Sequence, residues 1–284
     1  MHQPPLPSPT RAFTLIELLL VLAMFSVLAT ITLVSFGHLG RGARLASATN
    51  TVSVTLANAR ALAMKHNQLV LVVFRPRNQS DGTQRVEAVT STWTGESYLN
   101  RTAGRVRIID RYLAAALVPS RLLPAGIQIA APAYEADIDI EWVTQSNLHG
   151  AEGAADRQRG VVVGVLYGPD GTTRTRNSRT DADRLWLDLD GHGVVVPRIR
   201  DDGSDILPAE IPLDFFEQDN PDDEPFVTLA PFLAVYDDTA ARASRATTWQ
   251  ADGDYRAELT GERGFISRLA DRLHFNRYTG VVMK

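Results

Sequence analysis

Residues 11–36 read RAFTLIELLLVLAMFSVLATITLVSF, and this stretch decides how the rest of the chain is interpreted. From Phe13 to Phe36 the only ionisable side chain is that of Glu17. At a helical rise of about 1.5 Å per residue, these residues span roughly 36 Å, enough to cross the roughly 30 Å of a bilayer's hydrocarbon core. We therefore expect a leader peptide over 1–12, a transmembrane helix over 13–36 and a large polar region after it.

A secretory signal peptide and a plain signal anchor are the alternatives for this segment. The apolar run is longer than the roughly 7–15 residues of a signal-peptide core, and no A-x-A cleavage site follows it. A signal anchor leaves Glu17 unexplained, because a carboxylate within a span costs on the order of 2.5–3.5 kcal/mol. No Lys, Arg or His lies between Phe13 and Phe36. A neutralising charge therefore has to come from another chain or from a terminus created by processing.

The string R-A-F-T-L-I-E-L resembles the signature of type IV prepilins, in which a basic and a small residue precede Phe-Thr-Leu-Ile-Glu-Leu. The resemblance implies that prepilin peptidase cleaves between Ala12 and Phe13 and methylates the new amino terminus of Phe13. Glu17 is then the fifth mature residue, and in this family its carboxylate pairs with the terminal ammonium of a neighbouring subunit. Ala12 is a departure, because the family nearly always has Gly at that position.

The same resemblance implies a location and a set of partners. The chain is expected in the bacterial inner membrane as a single-pass protein with its head in the periplasm, and in a filament after processing. Its expected partners are prepilin peptidase, other pilin or pseudopilin subunits, the inner-membrane assembly platform and membrane lipid. The basic residues favour the opposite orientation, because Arg11 precedes the apolar run whereas His38, Arg41 and Arg44 follow it. We adopt the orientation that the resemblance implies, with the head in the periplasm.

The composition of the whole chain is that of a folded protein with one unusual segment. The 284 residues are 44% hydrophobic and 22% charged, which excludes a disordered chain and a polytopic membrane protein. A net charge of −4 does not favour broad binding of nucleic acid. The chain has no cysteine, which excludes disulfides, thiolate metal sites and cysteine nucleophiles.

Three glycines follow the apolar segment. Gly37, Gly40 and Gly42 predict a soft joint, because each costs a helix interior about 1 kcal/mol relative to alanine. The joint is either a loop between two helices or a helix that melts locally when the filament packs. We expect residues 37–66 to continue the helix as an amphipathic segment that ends near His66 and Asn67. Its apolar face consists of Leu45, Ala48, Val52, Leu56, Ala59 and Ala63.

The junction between this helix and the next element carries a second, finer resemblance. The stretch ANARALAMKHNQLVLVVF, from Ala57 to Phe74, is similar to GspH/FimT-type minor pilins, in which an alanine-rich helix end leads through a basic, amide-containing turn into the first strand. Residues 69–74 are apolar and mostly β-branched or aromatic, which predicts that strand.

Residues 67–284 are expected to form a β-rich head, so the fold class is α+β and pilin-like, with one long N-terminal helix packed against a sheet. Turns are indicated at Tyr167–Thr172 and Asp190–Gly193, and a closing hairpin at Leu273–Val282. The expected strands are Gln84–Thr92, Arg105–Ile109, Ile127–Ala130, Asp137–Val143, Val161–Tyr167, Arg184–Leu189, Gly193–Ile199, Phe226–Val235, Arg272–Phe275 and Gly280–Met283.

Two stretches of the head are expected to be insertions. Residues 148–160 are polar and rich in Gly and Ala, which favours a mobile loop. Residues 201–225 hold ten acidic residues and no basic residue, which favours a solvated loop or the rim of a subdomain.

Sites of catalysis, metal binding and DNA binding receive little support from the sequence. HExxH, GxSxG, Walker and GxGxxG motifs are lacking, so we expect no enzyme, no catalytic residue and no cofactor. Asp188, Asp190 and His192 would share one strand face, but the preferred interpretation is a polar hairpin without metal. Residues 214–224 are acidic without the spacing of a calcium loop. Basic residues near the end of the chain do not make DNA an expected partner: Arg263, Arg268, Arg272, Arg277 and Lys284.

We expect a minor pilin or pseudopilin that acts structurally in a type II secretion pseudopilus or a type IV pilus. The large head and its acidic loops favour a minor subunit over a major one, because they disfavour close repeated packing. The alternatives that stay open are a major subunit of such a filament and a membrane-anchored binding module for DNA or a secreted substrate.

Overall fold

The computed structural model describes residues 15–102, 105–132, 142–144, 161–175, 184–196, 199, 202–204, 213, 215–217, 226–244, 264–276 and 278–283. The chain divides into two compact units, Met1–Ala43 and Arg44–Lys284. The boundary follows Ala43, within the first helix.

Helix α1 runs without interruption from Leu15 to His66. The predicted joint at Gly37, Gly40 and Gly42 is therefore helical, and the alternative of a loop between two helices is wrong. The cost of about 1 kcal/mol per glycine is local, and neighbouring helix formers such as Leu39 and Ala43 offset it. Over the residues described, no helix has both the length and the apolar character needed to cross a membrane.

The end of α1 lies where the sequence predicts it. Asn67 has a φ of 51°, a left-handed conformation that Asn tolerates and that ends helices. The N–H of Gln68 donates to the carbonyl of Ala63 at 3.2 Å, and the first strand begins at Val70. The predicted apolar face is confirmed, because five of its residues are fully buried and Leu45 packs against them: Ala48, Val52, Leu56, Ala59 and Ala63.

The described part of Arg44–Lys284 is mostly β-structure, which confirms the α+β class. Its strands are β1 Val70–Asn78, β2 Gln84–Thr102, β3 Arg105–Ala114, β4 Arg121–Leu122, β5 Ile127–Pro132, β6 Trp142–Thr144, β7 Val161–Tyr167, β8 Thr173–Arg174, β9 Arg184–Asp188, β10 Val194–Val196, β11 Phe215–Glu217, β12 Phe226–Leu229, β13 Phe232–Asp237, β14 Asp271–Phe275 and β15 Val282–Met283. Two short helices, α2 Asp238–Ala243 and α3 Phe265–Leu269, lie between the last strands.

Six strands of the larger sheet close on themselves. Around the ring, β1 pairs with β7, β7 with β12, β12 with β9, β9 with β3, β3 with β2, and β2 again with β1. The β7–β12 and β3–β9 pairs are parallel and the other four are antiparallel. We call this ring the barrel. Strands β4, β8, β10 and β11 extend the sheet from β2 and β7.

Apolar side chains fill the barrel. Gly164 of β7 lies where there is no room for a side chain, because a Cβ there would overlap Cγ1 of Val227 and lie 3.1 Å from the carbonyl oxygen of Val72. A six-stranded ring is narrow, so its interior is packed by side chains rather than open. The residues of this interior cluster are Leu71, Val73, Val89, Tyr112, Val162, Leu166, Leu185, Leu187 and Val227.

An ion pair lies on the same inward side of β1 and β2. Arg75 and Glu87 are opposite one another in the register, and Nη2 of Arg75 is 2.7 Å from Oε2 of Glu87. Arg77 and the hydroxyl of Ser120 both donate to the other carboxylate oxygen, at 2.7 and 2.5 Å. Burial raises the pKa of Glu87, but these hydrogen bonds and the two guanidinium groups outweigh it and hold the pKa below its ordinary value.

The smaller sheet has the strand order β15-β14-β13-β5-β6. One face carries Trp142, Ala234 and Tyr236, which are covered by Ala241 of α2 and by Phe265 and Ile266 of α3. The other face contributes Ile129, Val235 and Leu273 to the core around the upper half of α1. That core also contains Val72 and Phe74 of β1 and Val163 and Val165 of β7, so residues 45–63 of the helix pack against strands of both sheets.

Arg60 fastens α1 to two turns of the β-structure. Its Nε donates to the carbonyl of Thr279 at 2.6 Å and to that of Gly171 at 3.1 Å. The β7–β8 turn that contains Gly171 and the β14–β15 hairpin that contains Thr279 are both predicted by the sequence, and both are confirmed. The turns touch, because a Cβ on Gly280 would overlap the carbonyl oxygen of Gly171.

Two predictions about the β-structure are wrong. The sequence predicts one strand over Phe226–Val235, but β12 and β13 belong to different sheets, because Pro231 has no N–H to continue the ladder. The predicted hairpin at Asp190–Gly193 does not form, since β9 pairs with β3 and β12, while β10 pairs with β11.

The acidic stretch 201–225, expected as a solvated loop or as the rim of a subdomain, includes one strand among its described residues. It contains β11, which pairs with β10 and, at Phe215, with Leu99 of β2. The remaining expected strands have counterparts in the structure, although several bounds differ, and β2 is much longer than predicted. The predicted insertion at 148–160 and residues 137–141 of one predicted strand lie outside the described residues.

Candidate functional site

The predicted processing site precedes the described part of the chain. Ala12 and Phe13 lie outside the described residues, and α1 is described from Leu15. Cleavage after Ala12 and methylation of Phe13 therefore stay predictions. Glu17 is described, and it lies in the first turn of α1 with an exposed side chain.

The position of Glu17 suits a carboxylate. The first turn of a helix presents unsatisfied N–H groups and the positive end of the helix dipole, which stabilise a negative charge. The arrangement can therefore make electrostatic contacts.

The apolar residues next to Glu17 are exposed on every side of the helix. Ile16 is 74% exposed, Leu22 61% and Phe25 69%, although they point in different directions around α1. A helix that is apolar all round is normally surrounded by lipid or by other apolar helices. The exposed apolar residues from Leu15 to Leu28 are Leu15, Ile16, Leu18, Leu19, Leu20, Val21, Leu22, Met24, Phe25, Val27 and Leu28.

The side chains of Asp188, Asp190 and His192 do not share a strand face. Asp188 ends β9 and is fully buried, and its Oδ2 is 2.6 Å from Nη2 of Arg111. Asp190 and His192 follow the strand in an exposed turn, where the backbone N–H of His192 donates to Asp190 and lowers the pKa of its carboxyl. No cluster of three metal-ligating side chains occurs among the residues that the structure describes.

Arg111 is the central residue of this region, and the sequence does not single it out. Its guanidinium contacts Asp188, Glu96 at 3.0 Å and the carbonyl of Gly191 at 2.9 Å, and it lies 5.7 Å from the ring centre of Trp186. Oδ1 of Asp188 in turn accepts from the N–H of Gly191 at 2.7 Å. These contacts hold the end of β9 against β3, which is a structural role.

The described part of the basic C-terminal region is also engaged in structure. Arg272 lies 5.5 Å from the ring centre of Trp142 and donates to the carbonyl of Ser267 at 2.8 Å. Arg263, Arg277 and Lys284 lie outside the described residues, as do Asp214 and residues 218–224 of the acidic stretch 214–224.

Residues 8–33 match the family described as the prokaryotic N-terminal methylation motif. No curated protein and no solved structure matches this chain. The match shows a prepilin-type motif, which indicates a processed N-terminus of the type IV pilin-like or pseudopilin kind. Such a motif implies processing by prepilin peptidase and assembly with other pilin subunits.

Proposed function

We propose that this chain is a minor pilin or pseudopilin that is inserted into a type II secretion pseudopilus or a type IV pilus. The observation that carries the proposal is the prepilin-type motif at 8–33 on a helix whose apolar residues are exposed on all sides. A helix of this kind needs an apolar environment. The membrane supplies it before assembly, and the core of the filament supplies it afterwards. The β-rich part from residue 67 is the head that the helix carries.

The processing sites follow from the motif. Prepilin peptidase cleaves between Ala12 and Phe13, and the amino group of Phe13 is methylated. The ammonium of Phe13 in one subunit pairs with Glu17 of its neighbour, which gives both charges a partner within an apolar medium. Because only one stagger of two helices brings these groups together, the pair also sets the register of assembly.

The location follows from the same motif. The segment 13–36 crosses the bacterial inner membrane once, the leader 1–12 stays in the cytoplasm, and residues 67–284 lie in the periplasm. The size of the head and the acidic stretch 201–225 favour a minor subunit, because both hinder close repeated packing. The transition from the alanine-rich end of α1 into β1 supports the GspH/FimT type in particular.

The test is made in the native host with and without active prepilin peptidase. The proposal predicts that the chain becomes shorter by the leader only when the peptidase is active, and that the shortened chain appears in sheared filaments at low abundance. A chain that is shortened equally in both strains would contradict the proposal. Abundance equal to that of the main filament protein would instead favour the major-subunit alternative.

A further inference from the structure

Three arginine side chains lie on one face of the β1–β2 hairpin. Arg77 and Arg85 are directly opposite one another in the register, and Arg75 lies two residues before Arg77 on the same face. Like charges on directly opposite residues destabilise a pair of strands, because their Cβ atoms are only about 5 Å apart. This arrangement favours an anion between the two side chains. We call Arg77 and Arg85 the arginine pair.

Glu87 supplies a counter-charge to one side of this group only. Its Oε2 is 2.7 Å from Nη2 of Arg75, and its Oε1 accepts from Nη1 of Arg77 at 2.7 Å. Arg85 donates instead to the carbonyl of Leu123, from Nε at 2.9 Å and from Nη2 at 2.6 Å. In the part of the chain that the structure describes, no carboxylate is within ion-pair distance of Arg85. Its positive charge is therefore not balanced there.

The arginine pair is accessible and keeps hydrogen-bond donors for a ligand. The side chain of Arg77 is 50% exposed, and Arg85 is half-buried. Among the described contacts, Nη2 of Arg77 and Nη1 of Arg85 have no acceptor. Asp81 in the turn of the hairpin accepts from the N–H and the hydroxyl of Thr83. Because guanidinium groups bind phosphate and carboxylate oxygens through paired N–H bonds, the arginine pair suits an oxyanion.

The arginine pair lies near the end of the β-structure where α1 enters it. Arg85 is bonded to the carbonyl of Leu123, and Gly126 follows three residues later. A Cβ on Gly126 would lie 3.9 Å from Oδ1 of Asp237, whose Oδ2 is 3.9 Å from Nη2 of Arg44. Arg44 is the first residue of the unit Arg44–Lys284. This series of contacts leads from the arginine pair to the start of the unit.

The start of the unit follows the apolar segment closely in the sequence. Residues 37–43 separate the segment 13–36 from Arg44. The chain from Phe36 to Arg44 reaches at most about 30 Å, even when it is fully extended. In the anchored location of the proposed function, this end of the β-structure is therefore tethered near the lipid head groups. Anionic head groups attract basic side chains that lie near a membrane surface.

We infer that the arginine pair binds the phosphate head group of an anionic lipid and so docks this end of the β-structure on the membrane. The inference rests on the proposed function, because it requires an anchored chain. It goes further by adding a second contact with the membrane, made by β1 and β2 rather than by α1.

The test uses the full-length chain in lipid nanodiscs and the absence of cysteine from its sequence. Ser80→Cys carries a fluorophore in the exposed turn of the β1–β2 hairpin. Tyr278→Cys is the control label, because Tyr278 is 83% exposed in the β14–β15 hairpin, which Arg60 fastens to α1. The nanodiscs contain either neutral phosphatidylcholine alone or a mixture with anionic phosphatidylglycerol, and both carry a lipid with a nitroxide quencher on its head group. The quenched fraction of each label measures docking.

We expect the label at Ser80 to be quenched more in anionic than in neutral nanodiscs, and the label at Tyr278 to be quenched equally in both. Arg85→Gln should lower the docking equilibrium constant about fivefold, while Arg85→Lys, which keeps the charge, should lose less. Arg85 is the residue to replace because Glu87 keeps its contacts with the other arginines. Arg174→Gln changes an exposed arginine of β8 and should have no effect.

Equal quenching of the label at Ser80 in both kinds of nanodisc would overturn the inference, and so would a wild-type response of Arg85→Gln. If inorganic phosphate raises the melting temperature in detergent, and the label at Ser80 shows no docking, the ligand is a soluble oxyanion and the lipid contact is wrong. In these cases, incorporation of the chain into nanodiscs, seen by size-exclusion chromatography, leaves the proposed function standing. A chain that does not enter nanodiscs removes the anchored location and this inference together.

Discussion

Arg75 and Glu87 lie directly opposite one another on β1 and β2, and their charged groups meet 2.7 Å apart on the inward side of the barrel. Both side chains are almost fully buried. Arg77 and Ser120 complete the hydrogen bonds of the carboxylate. Arg75 and Arg77 are placed beside Glu87 by the register of β1 and β2, and Ser120 is placed there by the β3–β4 connection. The ion pair can therefore form only when this end of the barrel is folded.

Replacing Glu87 with Gln is expected to destabilise the chain by about 3–5 kcal/mol, because the buried guanidinium of Arg75 loses its counter-charge. Urea unfolding of the full chain in detergent, followed by tryptophan fluorescence, measures the change. The control is Glu96→Gln, which removes a carboxylate that is 50% exposed beside Arg111 and should cost less than about 1 kcal/mol. Equal losses for the two variants would contradict the role given to the buried pair.

The same carboxylate makes the head sensitive to acid. The pKa of Glu87 is lower in the folded chain than in the unfolded chain, so its contribution to stability is present above the unfolded value, near 4.5. It is lost as the pH falls through the folded pKa. We therefore expect the urea midpoint of the wild type to fall as the pH drops below about 4.5, in part because Glu87 becomes protonated. The Glu87→Gln variant should show a shallower fall over that range, and identical profiles would exclude Glu87 as a cause.

Packing inside the barrel predicts the effect of adding one methyl group. Gly164→Ala places a Cβ against Val227 and the backbone of Val72, and we expect a loss of about 1–3 kcal/mol. Gly42→Ala is the matched control, because its Cβ meets nothing within 4 Å and alanine favours a helix. Urea unfolding should show destabilisation only for Gly164→Ala. An unchanged free energy of unfolding for Gly164→Ala would show instead that the barrel interior has room for one more methyl group.

If Glu17 pairs with the ammonium group of a neighbouring subunit, a variant that lacks this charge should be processed normally but assembled poorly. Glu17→Gln should still be cleaved by prepilin peptidase, but its amount in sheared filaments should fall about tenfold, because the neighbouring ammonium loses its partner in an apolar medium. Ser26→Ala, which changes an uncharged residue further along α1, serves as the control. Immunoblots of whole cells and of filaments measure both steps. Normal incorporation of Glu17→Gln would remove Glu17 from the assembly contact.

Local patterns account for the parts of the fold that the sequence predicts. The buried face of α1 follows from Ala48, Val52, Leu56, Ala59 and Ala63, because a period near 3.6 residues leaves little choice of which side is covered. The end of the helix at His66 and the turn at Gly171 are also local features, in which residue type alone restricts the backbone. The candidate site is predicted in the same way, because the prepilin-type motif is one continuous string.

Pairing between distant strands accounts for the parts that the sequence does not predict. Closure of the barrel depends on β1 meeting both β2 and β7, which lie on opposite sides of it, and no local pattern specifies a partner. The Asp190–Gly193 stretch has good turn residues, yet the apolar strands on either side of it pair elsewhere. Arg111 lies in an unremarkable strand sequence, and its importance appears only when Asp188 and Glu96 are brought beside it by β9 and β2.

The most direct measurement of the central claim is mass spectrometry of the N-terminus of the native, full-length product from its own host. The account predicts a mature chain that begins at Phe13 and carries one methyl group on its amino nitrogen. A chain that keeps residues 1–12 in a host with active prepilin peptidase would contradict it, because Glu17 would then have no processed terminus to pair with.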